Sequence, residues 1–131
     1  ELMILSAIIA ILAMIIGQHT FNINNETQRI SVQQNLRSLE GALNVYYHDM
    51  GAFPTEEEGL RALLEPLDEK VTADWAGPYI AHHLTIDPWG EPYRYQVSEE
   101  VYQLSTLGAD RWIGGVGLDE DIIITRPLKR E

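Results

Sequence analysis

The residues most able to do chemistry lie in one glycine-rich run, Gly108-Ala109-Asp110-Arg111-Trp112-Ile113-Gly114-Gly115-Val116-Gly117-Leu118-Asp119-Glu120-Asp121, which comes directly after Leu107. Four carboxylates stand towards its two ends, and its four glycines allow tight backbone curvature. Calcium takes six to eight oxygens from carboxylates and backbone carbonyls on a flexible loop, whereas magnesium keeps several waters and suits such a cage less well. The closing trio Asp119, Glu120 and Asp121 repels itself unless a cation or solvent relieves it. The Asp-x-Asp-x-Asp-Gly spacing of an EF-hand is absent. On spacing alone the run is either a calcium loop or a solvated acidic turn.

No other group offers chemistry. His19, His48, His82 and His83 lack ligand spacing, and the adjacent pair would point to opposite sides of an extended segment. Ser105 falls in a predicted strand with no histidine nearby. There is no phosphate loop and no catalytic dyad, so an enzyme is not predicted. The chain has no cysteine, which excludes disulfides, thiol catalysis and Cys-ligated metals. Its 20 acidic and 9 basic residues give a net charge of -11, which argues against nucleic acid as a partner and against a polybasic membrane patch.

The elements that must carry the loop are legible on either side of it. Asp87-Pro88-Trp89-Gly90 suits a type I turn. Tyr93, Tyr95 and Val97 alternate with polar residues as a strand, Ser98-Glu99-Glu100 is a short loop, and Val101 to Leu107 is a second strand, making an antiparallel hairpin. Asp121 to Thr125 reads as a third strand. Upstream, Pro54-Thr55 followed by Glu56-Glu57-Glu58 predicts a helix start with a capping box, Leu60, Leu63 and Leu64 form its buried stripe, and Pro66 ends it. The acidic triplet is read as capping rather than as a metal site. Val71 to Thr85 reads as an irregular connection.

The N-terminal third is a long helix of two kinds. Leu36, Leu39, Leu43, Tyr46 or Tyr47, and Met50 recur at three- and four-residue spacing, and Gly51 is the predicted stop. Before them, the 24 residues between Glu1 and Glu26 carry no formal charge, and Leu2 to Ile16 is apolar except at Ser6. Fifteen residues of helix span roughly 22 Å, short of the ~30 Å of a bilayer core. A helix apolar all round is covered by lipid or by other protein. With 131 residues in all, this run is read as a membrane or filament-core element. Thr20, Asn22, Asn24 and Asn25 are weak helix formers close behind Gly17, so local unwinding is predicted there. Glu1 beside the apolar run is either a solvated chain end or a paired carboxylate.

In this order the motifs resemble one family, the major pseudopilins of type II secretion systems, relatives of type IV pilins. Glu1-Leu2-Met3-Ile4 through Ile11-Leu12-Ala13 resembles the start of the mature pilin helix without its first few residues. Leu39-Glu40-x-Ala42-Leu43-x-x-Tyr46 is similar to its second half. Phe53-Pro54-Thr55 with Glu58-Gly59-Leu60-x-Ala62-Leu63 resembles the P-T-x-x-x-G-L-x-A-L segment, and Asp87-Pro88-Trp89-Gly90-x-Pro92-Tyr93 resembles the most specific motif. Leu107-Gly108-Ala109-Asp110 with the closing Asp-Glu-Asp-Ile is similar to the family's calcium loop. Three positions depart from the pattern: Gln18 stands where proline is common, Ala10 where glycine is frequent, and Arg111 where glycine is usual.

The resemblance implies an α+β, pilin-like fold: a long N-terminal helix packed on a small C-terminal domain with a short helix and a small antiparallel sheet. Residues 1–25 would be the membrane anchor and filament core, and residues 26–131 the periplasmic domain. It implies a non-enzymatic subunit, inserted singly through the bacterial inner membrane, trimmed by a prepilin peptidase, methylated, and assembled into a helical homopolymer in the periplasm that drives protein export. Minor pseudopilins and an inner-membrane assembly platform are the implied partners. Glu1 would pair with the amino terminus of a neighbouring subunit. Calcium would be held by the carbonyl of Leu107, by Asp110, and by Asp121 with Asp119 or Glu120. A type IV pilin for adhesion, motility or DNA uptake is the alternative within the fold, disfavoured by the lack of a C-terminal cysteine pair. A membrane-tethered calcium-binding module or enzyme is the alternative outside it.

Overall fold

The computed structural model describes residues 2–68 and 73–128, and of residues 15–25 and 118 the backbone alone. One helix, α1 (Leu2–Met50), runs unbroken for 49 residues, which is about 74 Å of rise. The predicted unwinding at residues 20–25 does not occur. Threonine and asparagine each cost less than about 1 kcal/mol relative to alanine in a helix, and a helix already propagating absorbs such penalties without renucleating.

The amphipathic half of α1 behaves as its spacing dictates. Val32, Leu36, Leu39, Leu43 and Tyr46 are buried, and their four-three-four-three spacing lays them on one stripe. Gly51 ends the helix, its N–H donating to the Tyr47 carbonyl at 2.8 Å. The N-terminal half has no such stripe: from Leu2 to Met14 every residue is exposed. Among the described residues no helix is long and apolar enough to cross a membrane.

The predicted capping box forms. The Thr55 N–H donates to Glu58 Oε2 at 2.7 Å, and the Glu58 N–H donates to Thr55 Oγ1 at 3.3 Å. Beyond the box the chain forms a short 3₁₀ helix over Gly59–Leu63 in place of the predicted α-helix. Gly59 is the cause: it sits at φ 56°, a left-handed conformation that ends the α-turn and that glycine alone adopts at little cost. Ala62 and Leu63 still reach the core. The stretch predicted as an irregular connection holds a second 3₁₀ turn, His82–Thr85. Its two histidines are exposed.

Three strands make an antiparallel sheet in the order β1-β2-β3: β1 (Arg94–Val97), β2 (Val101–Thr106) and β3 (Ile122–Pro127). Tyr95 pairs with Leu104 across the first ladder and Leu104 with Ile124 across the second. Tyr95, Tyr102 and Leu104 are buried in one cluster with the α1 stripe. Polar contacts pin the layers together. The Tyr95 hydroxyl donates to the Pro54 carbonyl at 2.8 Å, and Arg126 of β3 grips the Glu40 carboxylate of α1 with Nε at 2.6 Å and Nη2 at 3.3 Å. The fold is the α+β pilin-like arrangement that the family resemblance implies.

Candidate functional site

Two loops meet at one end of the hairpin, and each is organised around a carboxylate. The first is the Asp-Pro-Trp-Gly turn that leads into β1. Asp87 is buried, and its Oδ1 accepts the N–H groups of Trp89 at 3.0 Å and Glu91 at 2.9 Å. Its Oδ2 accepts the Thr106 hydroxyl at 2.5 Å, from the last residue of β2. The Gly90 N–H closes the turn on the Asp87 carbonyl at 3.0 Å. Both oxygens of this side chain are engaged within the protein, so Asp87 clamps the start of β1 to the end of β2. Beside it, burial pushes the Tyr93 phenol above its ordinary range, against the lowering influence of the hydrogen bond from Asn35.

The second is the glycine-rich acidic run between β2 and β3. Leu107, Asp110 and Asp121 are partly buried, whereas Asp119 and Glu120 are exposed. Asp110 Oδ1 accepts the Trp112 N–H at 3.0 Å, and Asp121 Oδ2 accepts the Gly114 N–H at 3.1 Å. Asp121 Oδ1 is buried and has no hydrogen-bond partner. Gly108 lies directly under the backbone of the closing acids. A Cβ there would come to 3.0 Å from the Glu120 carbonyl oxygen and 3.1 Å from that of Asp119, tighter than ordinary contact, and the backbone sits at φ 77°, so the position favours glycine on both counts. At Gly115 a Cβ would collide with the Asp119 carbonyl.

This donor set suits a hard cation. It consists of carboxylate and carbonyl oxygens on a loop, with one buried carboxylate oxygen lacking a partner. Among the described residues no three acidic side chains converge closely enough to hold an ion by themselves. An ion held here would have to draw on backbone carbonyls as well as on carboxylates.

Three contacts that sequence spacing does not reveal hold this end of the domain. Arg29 of α1 donates from Nη1 to the Glu120 carbonyl at 2.9 Å, across 91 residues of sequence. Arg111 donates from Nη2 to the Trp89 carbonyl at 2.5 Å and lies 3.8 Å from the Glu91 carboxylate, so it bridges the two loops. Among the described residues Arg111 alone of the non-glycines has a positive φ, 61°. The left-handed turn usual for glycine is kept with an arginine in it. The Thr106 hydroxyl on Asp87 is the third. Glu1 lies outside the described residues.

Comparison with known proteins agrees along nearly the whole chain. The model of the family described as type II secretion system protein G matches residues 19–125. The chain is 31% identical over 125 residues to the type II secretion system core protein G of Vibrio cholerae, covering 93% of this chain and 85% of that protein. It is 29% identical to the core protein G of Pseudomonas aeruginosa, covering 93% and 88%. The fold superimposes on the crystal structure of the major pseudopilin from the type 2 secretion system of enterohaemorrhagic Escherichia coli with a TM-score of 0.61 and 25% identity, over 79% of this chain and 90% of that one.

Proposed function

The chain belongs to the type II secretion system protein G family, and on that premise we propose how its two regions serve a pseudopilus. It is a structural subunit of that polymer and not an enzyme. The observation that carries the assembly reading is the N-terminal half of α1. Leu2 and Met3 are 84% and 86% exposed, and Ile4, Leu5, Ile8, Ile9, Ile11 and Leu12 are exposed as well. The domain core is complete without them, since it begins at Val32. Apolar surface of this extent on every side of a helix is stable only under lipid or under other copies of itself. Before assembly this half of α1 sits in the inner membrane. After assembly the same surfaces pack on one another along the filament axis in the periplasm, and the acidic domain faces outward.

Glu1 is the register device of this reading. A carboxylate carried into an apolar filament core is costly unless a cation meets it, and the amino terminus of a neighbouring subunit supplies that cation. Prepilin peptidase, minor pseudopilins and the inner-membrane assembly platform are the partners that act before and during polymerisation, and the growing polymer drives folded proteins through the outer membrane. Calcium held by the Leu107 carbonyl, Asp110, Asp121 and one of Asp119 and Glu120 ties the β2–β3 loop together and offsets part of the net charge of -11.

Electron microscopy of the full-length chain tests the assembly reading. Helical fibres with the α1 N-termini at the axis are expected. Glu1→Ala is expected to abolish the fibres while the domain melts at its normal temperature. A monodisperse chain without fibres would overturn the polymer reading, and normal fibres from the Glu1 variant would overturn the pairing.

A further inference from the structure

The acidic loop ends outward in a tip that the calcium reading leaves unused. Trp112, Ile113 and Val116 are 77%, 81% and 85% exposed. They belong to a seven-residue stretch without a charge, Trp112 to Leu118, in a chain of net charge -11. The tip is held rather than loose, because the Trp112 and Gly114 N–H groups are bound by Asp110 and Asp121 and Arg111 is anchored on Trp89. An apolar knob presented on a fixed base is built to meet a surface.

A receptor of matching character lies at the other end of the domain. The loop sits beside Arg29. A cavity of about 280 Å³ opens beside the C-terminal end of α1, lined by Tyr47, Gly51, Ala52, Phe53, Val97 and Leu128. None of these six residues is charged. From Arg29 to Tyr47 the helix rises about 27 Å, so knob and cavity face opposite ends of the domain. A cavity of this size takes one large side chain and is small for a metabolite. The opening along Glu26, Arg29, Ile30 and Gln33 is charged and lies at the loop's own end, so it cannot receive the knob head to tail.

We propose that the Trp112–Val116 tip of one subunit inserts into the Tyr47–Phe53–Val97–Leu128 cavity of the next copy along the filament. The proposal rests on the reading of the chain as a polymer subunit. An open helical polymer is built from contacts that join two different faces, and here the two faces lie on opposite ends of one domain. Identical chains of net charge -11 repel at long range, and contact through uncharged surface adds nothing to that repulsion. Trp112 alone can bury on the order of 150–250 Å². The contact also places the calcium loop at a joint between subunits, where ordering its base pre-sets the knob.

The absence of cysteine gives a clean test. Full-length chains carrying Val116→Cys, Ala52→Cys, or both, with Trp112 kept, are assembled into filaments and treated with a short bis-maleimide. The double variant should yield a ladder of covalent dimers, trimers and higher multimers, while each single variant stays monomeric because neither face meets itself. Filaments without a ladder, or dimers from Val116→Cys alone, would overturn the contact. Failure of the natural chain to form any filament would instead remove the subunit reading and this contact with it. In addition, Trp112→Ser should reduce fibre yield at least tenfold at equal concentration with an unchanged melting temperature. Unchanged yield would overturn the proposal.

Discussion

The Asp87 turn and the Asp121 loop occupy the same end of the hairpin, and each is built around a carboxylate, but the two are completed differently. Asp87 is buried and gives both oxygens to protein donors, two backbone N–H groups and the Thr106 hydroxyl. Asp121 is partly buried, gives one oxygen to the Gly114 N–H, and keeps the other buried without a partner. A carboxylate whose two oxygens are satisfied by its own chain is a fastener. One with an unpartnered buried oxygen in a glycine-rich loop leaves an acceptor that a cation would satisfy. Charge and residue type are the same in both, so the donors around each carboxylate set its role.

The largest effect that should separate them is at Asp87. Asp87→Ala leaves two backbone donors and a buried hydroxyl unpaired, and each such loss costs about 1–3 kcal/mol. A destabilisation of about 3 kcal/mol or more is expected in thermal or urea melting, with or without calcium. Asp87→Asn keeps the oxygen that serves the two N–H groups and should cost far less. An Ala variant within about 0.5 kcal/mol of the natural chain would show that the turn does not depend on this clamp.

Calcium should give the next largest effect, confined to the other loop. At a hundredfold excess over its dissociation constant, an ion that binds the folded chain alone stabilises by about 2.7 kcal/mol. For a domain of this size that is a rise in melting temperature on the order of 10 °C. Chelator should remove the rise, and Asp121→Ala should abolish it. The Asp87 variants, where they fold, should retain it. Equal melting in calcium and in chelator would return the acidic loop to the status of a solvated turn.

Legibility in the sequence depends on the range of the interaction. The capping box, the Gly51 stop, the amphipathic stripe from Leu36 to Tyr46 and the hairpin are all local, and each is readable from residue spacing. The Gly59 break is present as a residue type, but the capping signal before it favours a continued α-helix. The unbroken helix through residues 20–25 goes the other way, because single-residue propensities of less than about 1 kcal/mol do not decide a long helix. Within the site, the acids and glycines of residues 107–121 stand out by composition. The contacts that position them do not, because Arg29 reaches Glu120, Glu40 reaches Arg126, and Arg111 reaches Trp89 across 91, 86 and 22 residues. No periodicity encodes such pairs. They appear only once the hairpin and α1 are packed.

A smaller effect concerns the hairpin that carries both loops. Burial, and after it the neighbouring Tyr102, pushes the Tyr95 phenol well above its ordinary 10.0. A phenol with a raised folded-state value adds stability that is fully present below about pH 10 and is lost as pH climbs above it, since the unfolded chain ionises first. Tyr95→Phe removes the bond to the Pro54 carbonyl and should cost about 1 kcal/mol at neutral pH. It should also flatten the loss of stability above pH 10 relative to the natural chain. Parallel alkaline profiles would show that the hydroxyl is not held in its neutral form.

The smallest effect tests the bridge between the two loops. Arg111 holds a left-handed backbone, which costs a non-glycine residue about 1 kcal/mol, and its side chain donates to the Trp89 carbonyl. Both Arg111→Ala and Arg111→Gly remove that bond, but only glycine also relieves the backbone. The alanine variant should therefore be less stable than the glycine variant by about 1 kcal/mol, with glycine close to the natural chain. Calcium separates the two contributions further. If the bridge helps to set the acidic loop, the two variants should lose the same part of the calcium-induced rise, because they have lost the same contact. If the conformation of residue 111 sets the loop instead, the glycine variant should keep the full rise and the alanine variant should not.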